Sequence, residues 1–383
     1  MKTLATLLLA ALLAGCAATP SAPAPPQLFS DASFAAPTEP IGAADLFTLT
    51  PAMRQYLAGE SFRASVRSKG IERGLVDALY QKSQLKLEYD AARTRTAAET
   101  FEARTGNCLS LVIMTAAFAR ELDLNVNFQS VVVDETWRRS AGMYLASSHV
   151  NLTLGARRGN VMSSALEPIY TVDFLPSADA DRLITFPLDQ NAIVAMYMNN
   201  RAVESLVQGK VDNAYWWARA AVKQNPAFVV AYNTLAVIYQ RHGDKELAEK
   251  TFRTALQREP ENVVVMRNLA PLLKEIGKTA EAQQLLDRAG AIEPNPPFHY
   301  FSLGMKAMER RDFKTAQAMF AREVKRAPYH DEFHFWLGIA SLRLGQASRA
   351  RGEIELALEN SSTGDNRALY SAKLEHLRAQ LPR

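Results

Sequence analysis

The stretch Phe101-Glu102-Ala103-Arg104-Thr105-Gly106-Asn107-Cys108-Leu109-Ser110 decides how the first half of the chain is read. Its cysteine opens a long apolar run, residues 108–124, with Leu109, Leu111, Val112, Ile113, Met114, Ala116, Ala117, Phe118 and Leu122 on nearly every side of a helix. A helix that is apolar all round belongs inside a domain. Gly106 and Asn107 suit the turn and cap that begin such a helix. A thiol there lies beside unpaired N–H groups and the positive end of the helix dipole, which suits a nucleophile. Two of those N–H groups are placed to hold a developing oxyanion.

Outward from this stretch, Thr50-Pro51 reads as the cap and first position of a helix, and residues 71–81 as another. Residues 96–102 form a helix leading into the central one, and residues 125–133, rich in Val and Phe, read as a strand. Val150, Leu152 and Leu154 alternate with His149, Asn151 and Thr153, a second strand; Tyr170, Val172 and Phe174 alternate with Thr171 and Asp173, a third. A buried helix followed by strands predicts an α+β domain. Period-two geometry puts His149 and Asp173 on the polar faces of their strands, and antiparallel pairing through a turn within residues 155–167 makes them neighbours.

The chain has six histidines, and His149 alone falls between Cys16 and Gln240, so it is the one histidine base open to Cys108 in that domain. Asp173 has Asp134, Asp179 and Asp181 nearby as alternatives. Cys108, His149 and Asp173 then predict a nucleophile, its base and an orienting carboxylate. Each residue has a plainer reading alone: a small buried hydrophobe, a structural histidine, a turn aspartate. Order and spacing carry the catalytic one.

R-T-G-N-C-L-S at residues 104–110, H-V-N-L at 149–152 and V-D-F at 172–174 resemble the transglutaminase-like superfamily over residues 96–174. The resemblance implies a papain-like fold and a catalytic triad of Cys108, His149 and Asp173, whose separations of 41 and 24 residues look normal for the family. A tryptophan that better-known members carry shortly before the cysteine is missing, so no side-chain oxyanion donor is assigned.

At the start of the chain one lysine and a short apolar stretch end in Leu13-Ala14-Gly15-Cys16. This resembles a bacterial lipoprotein signal, residues 1–15. The resemblance implies lipidation of Cys16, and Ala17 after it points to the outer membrane facing the periplasm. Residues 16–45, rich in Ala, Pro and Ser, read as a flexible linker with no core of its own. The transglutaminase-like domain takes residues 46–190, with residues 175–189 as its boundary.

Behind that boundary Pro226, Pro260, Pro294 and Pro328 recur every 34 residues, the period of tetratricopeptide repeats. The clearest unit carries Tyr232, Leu235, Ala236 and Tyr239, then Gly243, then Ala248, Phe252 and Ala255. Five such repeats over residues 195–362 and a capping helix over 363–383 predict an all-α solenoid with a protein or peptide partner on its concave face. His299, His330 and His334 read as structural or surface residues, and neither a metal nor a cofactor is expected. A formal charge of +4 from 44 basic and 40 acidic residues is too balanced for nucleic-acid binding.

Two functional expectations follow. One is a lipid-anchored cell-envelope enzyme of thiol acyl transfer, a peptidase, amidase or transglutaminase-like protein whose solenoid recruits a protein substrate. The alternative is a non-enzymatic repeat-protein adaptor lipoprotein with an inactive transglutaminase-like domain.

Overall fold

A computed structural model describes residues 22–81, 84–85, 87–91, 93–132, 137–140, 143–146, 149–157, 169–174, 184–361 and 364–380. Cys16, the signal and three of the aspartates above (Asp134, Asp179 and Asp181) lie outside the described residues.

Local signals place the helices of the N-terminal domain. Thr50 Oγ1 accepts from Met53 N at 3.3 Å and starts α1 (Pro51–Ala58). α2 (Glu60–Lys69) and α3 (Ile71–Tyr80) follow. Thr96 and Glu99 form a reciprocal capping box at the start of α4 (Ala97–Ala103), and Arg104 ends that helix at φ 56°. A short parallel ladder of β1 (Glu88–Tyr89) and β2 (Thr105–Gly106) leads into α5 (Cys108–Glu121), buried at every residue from Cys108 to Ala119.

The strands are β3 (Leu124–Val132), β4 (Trp137–Ser140), β5 (Met143–Ala146), β6 (His149–Arg157), β7 (Tyr170–Val172) and β8 (Ile184–Leu188). β4 and β5 pair with each other; the remaining four make an antiparallel sheet in the order β7-β6-β3-β8. β8 corrects the boundary expected over residues 175–189, because residues 184–188 belong to the sheet. Pro187 sits in that edge strand, where a missing N–H is tolerated.

The C-terminal part is five helix pairs and a final helix. The pairs are α6 (Gln190–Val207) with α7 (Val211–Gln224), α8 (Val229–His242) with α9 (Lys245–Arg258), α10 (Val263–Glu275) with α11 (Thr279–Ile292), α12 (His299–Glu309) with α13 (Phe313–Arg326), and α14 (Asp331–Arg343) with α15 (Ala347–Glu359). α16 (Gly364–Gln380) closes the array. Ala214, Ala248, Ala282, Ala316 and Ala350 occupy the same place in each second helix and are all fully buried, so paired backbones approach closely. Gly304 does the same work in α12: a Cβ there would lie 2.5 Å from the Phe320 ring.

The linker expected over residues 16–45 is corrected by the structure. Residues 22–45 are a strap docked on the first helix pairs. Phe34 stacks on Tyr215 with ring centroids 4.0 Å apart. Asp31 accepts from Tyr215 Oη at 2.6 Å and from Arg219 at 2.7 Å. Ala35 N and Thr38 N donate to Asp212 and Asn213 at 2.9 Å, and Trp216 Nε1 and Tyr239 Oη donate to the carbonyls of Ala35 and Leu28. An irregular segment cannot satisfy its own backbone, so side chains of the solenoid do it. Among so many small and proline residues, Leu28, Phe29 and Phe34 were the signal that this segment is not a free tether.

Phe34→Ala removes a ring that is 7 % exposed, a loss on the order of 3 kcal/mol for a buried aromatic. Residues 22–45 are then expected to become the first site of cleavage in limited proteolysis, while the solenoid keeps its helical circular dichroism. A strap as resistant as in the native chain contradicts the docking.

Candidate active site

Cys108 is the first residue of α5, and Asn107 is its cap. Asn107 Oδ1 accepts from Ser110 N at 2.9 Å and from Ser110 Oγ at 2.8 Å. Its amide donates to Thr94 Oγ1 at 2.8 Å, and Thr94 N donates to Glu204 Oε1 of α6 at 2.6 Å. Ser110 Oγ in turn accepts from Arg95 N at 2.9 Å. Gly106 is needed beneath this cap, since a Cβ there would meet Ser110 Cβ at 2.7 Å. Burial pushes the Glu204 carboxyl up, against the hydrogen bonds from Thr94 and the charge of Arg201. The cap leaves the earliest N–H groups of α5 without helical partners beside the sulfur.

β6 and β7 bring the other two residues in. Their register pairs Leu152 with Val172, so the adjoining Asn151 and Asp173 come opposite and His149 lies diagonally across. His149 Nε2 is 2.6 Å from Asp173 Oδ1, and Asn151 Nδ2 donates to Asp173 Oδ2 at 3.0 Å. Tyr80 Oη donates to the Asp173 carbonyl at 2.6 Å and its ring packs on Phe174, fixing the segment from α3. The Cys108 thiol acts on the same ring, and its hydrogen bond and charge favour the protonated form. Burial alone pushes the imidazole down; the bonds to Asp173 and Cys108 outweigh it and hold the ring up to about 9.

The structure therefore brings Cys108, His149 and Asp173 to one place. The polar face of β6 is covered: Cys108 is 8 % exposed and His149 only 2 %, and Asn151 and Thr153 on the same side of β6 are buried too. Both faces of this strand are covered, which alternation alone does not reveal. Asn151 and Tyr80 were missed by sequence reasoning. Asn151 shares the strand face of His149, so period-two spacing contained its signal; Tyr80 carried none. Of the outlying histidines, His334 is buried and bridges Glu353 and the Pro328 carbonyl, while His330 stacks on Phe333. Among the described residues no cluster of three or more His, Cys, Asp or Glu is placed to hold a metal ion. No helix among them is long and apolar enough to cross a membrane.

Two family models described as tetratricopeptide repeat match residues 243–303 and 301–365. A search of curated proteins returns no match. Similar solved structures include the tetratricopeptide-repeat protein TTC0263 of Thermus thermophilus, 20 % identical over 47 % of this chain and 98 % of that one, with a TM-score of 0.31. YrrB, a tetratricopeptide-repeat protein with an unusual peptide-binding site, is 20 % identical over 47 % of this chain and 92 % of its own, TM-score 0.25. PilF of Pseudomonas aeruginosa is 19 % identical over 49 % and 94 %, TM-score 0.29.

Two measurements check the site. Asn107→Ala leaves buried donors without an acceptor and is expected to cost about 1–2 kcal/mol, read as a lower thermal midpoint. The raised His149 value means that its imidazolium stabilises the fold fully below pH 6.5 and that this contribution is lost as pH rises through about 9. Asp173→Asn is expected to move that loss to lower pH in thermal-midpoint profiles; an unmoved profile contradicts the assignment.

The family-model matches, together with the five helix pairs, make the C-terminal part of the chain a tetratricopeptide-repeat solenoid, a fold for protein interaction.

Proposed function

We propose that the chain is a repeat-protein adaptor whose solenoid engages a protein partner and carries the N-terminal domain with it. The observation that carries this reading is the repeat array itself, already holding an irregular segment of its own chain through Tyr215, Arg219 and Trp216. The burial of Cys108 and His149 agrees with a domain that serves as a body and not as a catalyst. In this reading the chain is a lipoprotein of the cell envelope, anchored through Cys16 and facing the periplasm.

The grouping of Cys108, His149 and Asp173 favours a second reading, thiol acyl transfer by a transglutaminase-like domain. Cys108, as the thiolate beside the His149 imidazolium, would attack a carbonyl carbon, and His149 would give its proton to the leaving group. Water would then release the acid, or an amine would form a new amide. Asp173, held by Asn151, would keep the imidazole in the tautomer that faces the sulfur. First-turn N–H groups of α5 would carry the oxyanion. This reading stands second because the family-model matches fall on the repeats and not on this domain.

One residue separates the two. For an adaptor, Cys108→Ala is expected to retain the native phenotype and the native pattern of amine-reactive cross-links to a partner, while removal of residues 190–380 gives the null. If Cys108 instead labels with a thiol-directed activity probe faster in the folded chain than in denaturant, and Cys108→Ala reproduces the null, the adaptor reading fails and thiol chemistry replaces it.

A further inference from the structure

We propose that the seam between the third and fourth helix pairs is the docking site for an extended acidic segment of the partner, a carboxylate on Lys306 beside an apolar side chain on Leu303. This rests on the adaptor reading and names the chemistry of its ligand.

The seam arises from a break in the repeat. The first helices of the second, third and fifth pairs start at Val229, Val263 and Asp331, all in register with the 34-residue period. The same register calls for a start at residue 297 in the fourth pair. α12 instead starts at His299, because Phe298 stands at φ 61°, outside the right-handed helical region, and forms its N-cap. A cavity of about 240 Å³ lies between α10 and the opening of α12, lined in part by Pro296, Pro297 and Phe298. The apolar core is interrupted at the same place: one cluster runs from Leu28 to Ala282 and the next begins at Phe298.

What lines the cavity selects its occupant. His299, Ser302, Leu303 and Lys306 follow one another along a single face of α12, and Arg267 and Asn268 face them from α10. Two cations and no carboxylate are in that lining. Glu293 pairs with Arg267 and its carbonyl accepts from the same guanidinium at 3.0 Å, so Arg267 is already engaged. Lys306 is exposed, and no acidic side chain among the described residues pairs with it. Leu303 beside it is 39 % exposed. Asn268 gives its amide hydrogen to Asn233 at 2.9 Å, which leaves its oxygen for a main-chain N–H. An unneutralised ammonium next to an exposed leucine is complementary to an acidic residue flanked by a large apolar one.

The strap is an internal precedent for that chemistry. It is held by Asp31 on Arg219, by Glu39 on Arg201 and by Phe34 on Tyr215. It covers α7 and α8, so the first pairs are filled by the chain itself while the seam stays open.

The test is fluorescence anisotropy on the full chain with a fluorescein-labelled decapeptide carrying two glutamates around one phenylalanine in a glycine-serine background. The control peptide has lysines in place of the glutamates. The glutamate peptide is expected to bind and the lysine peptide not to. Lys306→Glu is expected to weaken the glutamate peptide at least about tenfold at unchanged thermal midpoint. Glutamate-peptide binding that survives Lys306→Glu, equal binding of both peptides, or no saturable binding of either overturns the seam while leaving the adaptor reading standing. A chain with no partner in the cross-linking comparison overturns the adaptor reading whatever the peptides do.

Discussion

An apolar helix buried from its first turn needs a cap supplied from within the protein, and the arrangement around Cys108 follows from that constraint. Asn107 caps the helix, Thr94 holds Asn107, and Glu204 of the first repeat helix holds Thr94. Glu204 also bonds Arg201 at 2.9 Å, and Arg201 reaches Glu39 of the strap. One chain of hydrogen bonds thus joins the cysteine, the solenoid and the strap. The N-terminal domain is fixed to the repeats by polar contacts as well as by a shared apolar core.

The same economy of satisfied groups explains the burial of the candidate triad. Asp173 uses both carboxylate oxygens, one on His149 and one on Asn151, and its backbone carbonyl takes Tyr80. Such a group is costly to leave incomplete in a low-dielectric site, so its members hold one another in place. That rigidity serves a catalyst or a purely structural centre equally well. The adaptor reading stands on the repeat array and not on the geometry of this group.

The repeats show how a regular array acquires a special place. Four interhelical turns use Gly209, Gly243, Gly277 and Gly345 at positive φ, and Arg311 takes the corresponding position in the fourth pair at φ 59°. That pair is also the one whose first helix starts late. The late start falls where the first apolar cluster gives way to the second, and a third begins at Ile354 toward the end of the array, so the core of the solenoid is a series of packed clusters and not one continuous stack.

Local chemistry was legible in the sequence. The Thr50, Thr96 and Asn107 caps, the strands around His149 and Asp173, and the 34-residue repeat all depend on residues near one another in the chain. Their partners are set by helical turns or by period-two alternation. What tertiary structure decided was everything whose partners lie far apart. The docking of residues 22–45 rests on contacts with Tyr215 and Tyr239, nearly two hundred residues on or more, which composition cannot register. β8 is a strand because β3 offers it an edge, although its own residues read as a boundary. The covering of both faces of β6, and with it the burial of His149, depends on what packs above a strand and not on the strand's pattern. Spacing brought three residues to the same neighbourhood; only the packing around them determined how much of that neighbourhood water reaches.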